Sequence, residues 1–101
     1  MASRESLHEI LVNLLGTKHV YYRPPASLRL IYPCIVYDLD KIDVKFANNR
    51  PYSKKNRYSV IYIDHNPTSK VIDKISDLSM CAFDRSYVSN NLNHFKFTLY
   101  H

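Results

Sequence analysis

The nine residues RYSVIYIDH, Arg57 to His65, tolerate few environments. Tyr58, Val60 and Tyr62 alternate with Ser59, Ile61 and Ile63, so a strand here is largely apolar on both faces. Such a strand belongs in the middle of a sheet, covered from either side. The rest of the chain must therefore supply strands to flank it and elements to lie across it. With 101 residues, 46% of them hydrophobic, and nine Tyr and four Phe, there is material for one packed interior. A second independent core has no room, so residues 1–101 are read as a single domain.

A partner strand precedes it. The stretch PCIVYDLDKIDVKFANN is rich in β-branched and aromatic residues and long enough for an extended strand. Its phase changes midway: Ile35, Tyr37 and Leu39 share one parity, whereas Ile42, Val44 and Phe46 share the other. A regular strand would turn its apolar face over near Asp40 and Lys41, and this predicts a bulge or twist there. Between the two strands, ANNRPYSKKN (residues 47–56) reads as a hairpin tip longer than the commonest two-residue turn.

Leu7, Ile10, Leu11, Leu14 and Leu15 mark one side of an N-terminal helix, with Ser3 as its cap and Gly16, the only glycine, at its end. His19 to Tyr22 reads as a short strand, cut off by Pro24 and Pro25 and followed by a connection over Ala26 to Tyr32. Asn66 and Pro67 suit the start of a second helix, whose face is Val71, Ile72, Ile75 and Leu78 and which ends near Ser79. The remainder reads as a second hairpin with its turn at Ser89 to Asn91. In its last strand Phe95, Phe97 and Leu99 alternate with His94, Lys96 and Thr98. The expected fold is α+β, an antiparallel β-sheet with two helices packed mainly on one face, in the order α-β-β-β-α-β-β.

Charge and motifs narrow the chemistry. Fourteen Lys and Arg against nine Asp and Glu leave +5, which favours acidic partners without naming one. Asp38, Asp40 and Asp43 with Lys45 have the residue types of a magnesium-dependent nuclease, where carboxylates hold the cation and lysine steadies the phosphate. The same residues equally suit the solvent side of a strand, and the spacing is too short to discriminate. Five histidines, His8, His19, His65, His94 and His101, show no helical ligand pair and no nearby cysteine, which argues against zinc. Cys34 and Cys81 lie within apolar runs far apart, fitting reduced, buried thiols better than a disulfide. No nucleophile elbow, phosphate loop or dinucleotide fingerprint is present, and no cofactor is expected. MASRESLHEI lacks the apolar core of a signal peptide, and no apolar run is long enough to span a bilayer, so the protein is expected in the cytoplasm.

The densest basic group is Arg50, Lys54, Lys55 and Arg57, with Tyr52 among them. Cations and aromatics together can grip phosphates and stack on bases, and lysines can also simply keep a loop solvated. Tyr and Arg are also favoured at protein interfaces, and a partner-docking loop made of Arg50, Tyr52, Lys54, Lys55 and Arg57 is the preferred reading.

As a whole, the amphipathic N-terminal helix, YYRPPASLRLIYPCIVYDLD, RYSVIYIDHNP with its following helix, and the ending FDRSYVSNNLNHFKFTLY resemble tail completion proteins of long-tailed bacteriophages and prophages of Gram-positive bacteria, also called tail terminators. The resemblance covers nearly the full length and is one of element order, without a fixed motif. It implies a non-enzymatic virion protein made in the host bacterial cytoplasm and placed at the head-tail junction. It also implies a hexameric ring that contacts the major tail-tube protein and the head connector, through which DNA passes without specific recognition. The alternatives are a small basic nucleic-acid-binding module and the magnesium-dependent nuclease.

Overall fold

The computed structural model describes residues 4–101, and the side chains of all of these except residues 51–53. Helix α1 spans Arg4–Leu15 and is followed by β1 (Val20–Tyr22), β2 (Cys34–Ala47), β3 (Arg50–Asp64), α2 (Lys70–Ser76), β4 (Cys81–Ser89) and β5 (Leu92–Tyr100). This is the expected order and class. The strands form one five-stranded sheet, β1-β2-β3-β5-β4, with β3 in the middle as its two apolar faces require.

One pair departs from the antiparallel expectation. β1 runs parallel to β2, with Val20 opposite Ile35 and Tyr22 opposite Tyr37. A short link would have forced a hairpin, but residues 23–33 are long enough to carry the chain back to the end at which β1 began. On the way Leu30 packs over Cys34, Ile63 and Leu92, covering one end of the sheet's second face.

Both helices lie on the other face. Leu7 and Leu11 of α1 and Ile75 of α2 are buried with Ile35, Tyr37, Tyr58, Val60, Tyr62, Phe97 and Leu99. The α1 stripe ends as its sequence directs, with Gly16 at φ 83° and its amide donating to the Val12 carbonyl at 2.9 Å. The predicted cap Ser3 lies outside the described residues. Arg4 donates to the Tyr37 hydroxyl at 3.3 Å, and the same hydroxyl lies 2.7 Å from His8 Nδ1, so the buried phenol is satisfied from α1.

The start of α2 is corrected. Asn66 does not cap the helix; its carboxamide oxygen accepts from the Thr68 amide at 3.0 Å in a local turn that holds Pro67. Ser69 is the cap, accepting from the Val71 amide at 3.2 Å, and the helix ends at Ser76 with Asp77 as C-cap. Buried Tyr62 on β3 fixes this cap in place: its hydroxyl donates to Asp64 and lies 3.0 Å from Ser69 Oγ.

Both hairpin turns are shorter than expected. The residues at the tips, Asn48 and Asn49 in one and Asn90 and Asn91 in the other, all have φ between 52° and 63°. Paired left-handed residues of this kind match the twist of the flanking strands, and Asn tolerates them better than most side chains.

Burial, with the bond to Asp64 adding to it, pushes the Tyr62 phenol from 10.0 up to about 12. The fold therefore favours the neutral phenol. The associated stability is complete below pH 10 and is lost as pH rises towards 12. Urea melts across this range should show a steeper alkaline loss for the wild type than for Tyr62→Phe, and parallel curves would refute the assignment.

Candidate docking surface

β2 and β3 run on past the rest of the sheet. β3 pairs with β5 only from Arg57 to Asp64, and β1 reaches β2 only at residues 35–37. Beyond that, the rungs from Ile42–Asn56 to Ala47–Arg50 join β2 and β3 to each other alone. Six residues of β2 at the usual strand rise give an arm about 20 Å long, and the molecule measures 51 × 28 × 24 Å.

The bulge predicted near Asp40 determines what the arm displays. Leu39 pairs with Tyr58 and Lys41 with Arg57, leaving Asp40 as the extra residue. The strand thereby absorbs its phase change. Ile42 and Val44 stand on the same face of the sheet as Ile35, Tyr37 and Leu39; a second register shift falls between Lys45 and Phe46, and along β2 itself Phe46 keeps the alternation of Ile42 and Val44. In the body the helices cover this face, but on the arm nothing described does: Ile42 is 50% exposed and Phe46 65%. Lys54, opposite Val44, shares the apolar face, whereas Lys41, Asp43, Lys45, Lys55 and Arg57 alternate onto the other. The arm is an amphipathic ribbon.

Its charge is equally uneven. From Lys41 to Arg57 the chain has six Lys and Arg and one Asp, a formal +5 equal to that of the whole protein, so the remainder is neutral. Arg57 is held by Asp40 at 2.9 Å, and Lys41 by Asp43 at 3.2 Å. The hydrogen bond from Lys41 keeps the Asp43 carboxyl below its ordinary range. Residues 44–56 contain no acid, so the outer cations have no carboxylate within their own segment.

The residues predicted to form a docking loop thus belong to a strand. Arg50, Lys54, Lys55 and Arg57 lie on β3, whose first residue is Arg50; Tyr52 also belongs to it, but its side chain lies outside the described residues. Lys54 and Lys55 are exposed on opposite faces, and Arg57 is half-buried at the arm's root. Tyr58 points into the core, as its parity demands, and is 3% exposed. The sequence reading missed Ile42, Val44 and Phe46 as surface residues, although their change of phase was the available signal.

The other candidate chemistry disperses. Asp38 pairs with Arg23, Asp40 with Arg57 and Asp43 with Lys41, so the three carboxylates do not converge. Among the described residues no group of three His, Cys, Asp or Glu side chains could hold a metal ion, and no helix is long and apolar enough to cross a membrane. The histidines are scattered: His94 stacks on Tyr87, His65 meets Tyr32 edge-on, and His101 lies 2.8 Å from Ser6 Oγ. Cys34 and Cys81 are free thiols in different apolar clusters, on opposite faces of the sheet. No family model, curated protein or solved structure matches the chain.

Burial pushes the Cys34 thiol up to about 11 and raises that of half-buried Cys81 as well. Mass mapping after alkylation of the native protein should therefore find Cys81 modified first and Cys34 only after unfolding; the reverse order would contradict the described packing. Phe46→Ser should change folding stability by about 0.5 kcal/mol or less in denaturant melts, as expected for an exposed site. A loss typical of the core would mean that the arm packs against its own body.

Proposed function

We propose that the protein is a tail completion subunit of a long-tailed phage or prophage of Gram-positive bacteria, assembling as a hexameric ring that caps the tail tube and joins it to the head connector. The observation that carries this reading is the amphipathic arm. A two-stranded ribbon in water has little stability of its own, and large apolar side chains left open on one face call for a protein surface to cover them. The element order that accompanies the family resemblance is the order the fold adopts, and the chemistry of the surface suits assembly. Its partners are further copies of itself, the major tail-tube protein and the connector, with the basic face of the arm free to meet the last two. DNA passes through the opening unread, and the subunit performs no catalysis.

Deletion of the gene from the phage or prophage that encodes it tests the reading directly. Electron microscopy of the lysate should show filled heads without tails and separate tubes of uncontrolled length. Tails of normal length attached to filled heads would end the proposal. In the complete virion, Lys45→Glu with Lys55→Glu should lower the yield of joined particles while the mutant protein still folds; undiminished joining would remove these lysines from the contact.

A nucleic-acid-binding module is favoured only by the concentration of the whole net charge on the arm. Tight, steeply salt-dependent binding of random duplex DNA at physiological ionic strength would support that second reading over the first.

A further inference from the structure

A closed ring needs two unlike surfaces on each subunit, one fitting the other on the next copy. The body carries a concave surface. Between α1 and the segment after α2, a groove of about 170 Å³ is lined by Leu7, Ile10, Leu78, Ser79, Leu99 and His101, with Ile10 39% exposed. A cavity of roughly 150 Å³ accepts a benzene ring, so the groove has room for one aromatic side chain. The arm carries the matching convex surface in Phe46, Val44 and Ile42.

The two cannot meet within one subunit. The groove reaches Leu99 and His101, beside the root of the arm, where the His101 amide donates to the Asn56 carbonyl at 3.0 Å. Phe46 lies four residues beyond the Ile42–Asn56 rung, about 13 Å further out at the usual strand rise. A straight ribbon does not fold back over that distance.

The geometry points to a head-to-tail contact between copies of this chain, in which the apolar face of one arm enters the α1 groove of the next subunit and Phe46 seats against Ile10 and Leu78. This contact rests on the ring reading above and gives it its surfaces. Charge follows the same division. Lys54 shares the apolar face of the arm, and Asp77, the exposed C-cap of α2, directly precedes Leu78 of the groove, so a cation on the one surface has an acid beside the other. Lys45 and Lys55 point the other way and stay outside the contact. The surplus positive charge therefore does not have to be buried between subunits that are otherwise neutral.

Two single variants and their mixture decide the matter by sedimentation velocity. Phe46→Glu spoils the arm and leaves the groove; Ile10→Glu spoils the groove and leaves the arm. Each alone should be a folded monomer under conditions where the wild type assembles. Mixed in equal amounts, they should give a one-to-one heterodimer and nothing larger, because the remaining arm and groove are both blocked. Ser79→Arg obstructs the groove from an exposed position and replaces Ile10→Glu if that variant fails to fold. Lys45→Glu with Lys55→Glu should assemble as the wild type does. Assemblies that persist in Phe46→Glu, a mixture that stays monomeric, or a wild type that remains monomeric at every attainable concentration would each overturn the contact. Rings that survive both variants would reject this interface while leaving the tail-capping function to the deletion phenotype.

Discussion

The single extra residue at Asp40 governs the outer half of the molecule. Side chains alternate along a strand, so a slip of one position exchanges everything on one face for everything on the other. Without it, Ile42, Val44 and Phe46 would share a face with Ser59 and Arg57, and Lys41 and Lys45 would continue the surface that the helices cover. With it, the apolar face of the body continues onto Ile42 and Val44 of the arm, and Phe46 follows beyond a second register shift. The bulged residue is also anchored: the Asp40 carboxylate receives Arg57 at 2.9 and 3.0 Å. That pair is partly exposed and adds little to stability. Its geometric effect is to hold the bulge beside the last rung at which β3 still has a third strand for a neighbour.

Inside this boundary the protein is conventionally packed. Tyr22, Tyr37 and Tyr58 stand across three adjacent strands with ring centroids 5.0 and 6.1 Å apart. The Tyr37 hydroxyl meets Arg4 and His8, and the Tyr62 hydroxyl meets Asp64 and Ser69, so these two phenols find polar partners where a helix meets the sheet. The tyrosines thus contribute apolar area and also fix how α1 and the start of α2 are seated. Outside the boundary such support is described only at the root of the arm, where Tyr100 bonds to Asp43.

What could be read in the sequence follows the same division. The two-faced strand at Tyr58 to Ile63, the α1 stripe and the phase change at Asp40 are dictated by burial, and periodic burial leaves a periodic pattern. The β3 half of the arm has no such pattern, since Arg50 to Asn56 carries no apolar alternation, and it therefore resembles a loop. Asn-Asn also marks a tight turn less clearly than Asn-Gly, so the hairpin tip was placed too broadly. The parallel pairing of β1 depended on the path of residues 23–33, which local signals do not specify. Asn66 reads as a cap because its side chain accepts an amide in much the same way in the turn it forms. The exposure of Phe46 was hidden for a further reason: it depends on where β5 stops, a tertiary fact that belongs to another part of the chain.

Beyond Arg57 the arm has no third strand beside it, and apart from its two strands it is tied to the body at its root, where Tyr100 bonds to Asp43 and the His101 amide donates to the Asn56 carbonyl. Its opening therefore costs far less free energy than unfolding the five-stranded body, and its backbone amides belong to a separate, weaker cooperative unit. In an isolated subunit the ribbon is expected to open before the core does. Any surface that captures the ribbon must first repay the entropy of straightening it, so the contact is weaker than the apolar area it covers would suggest.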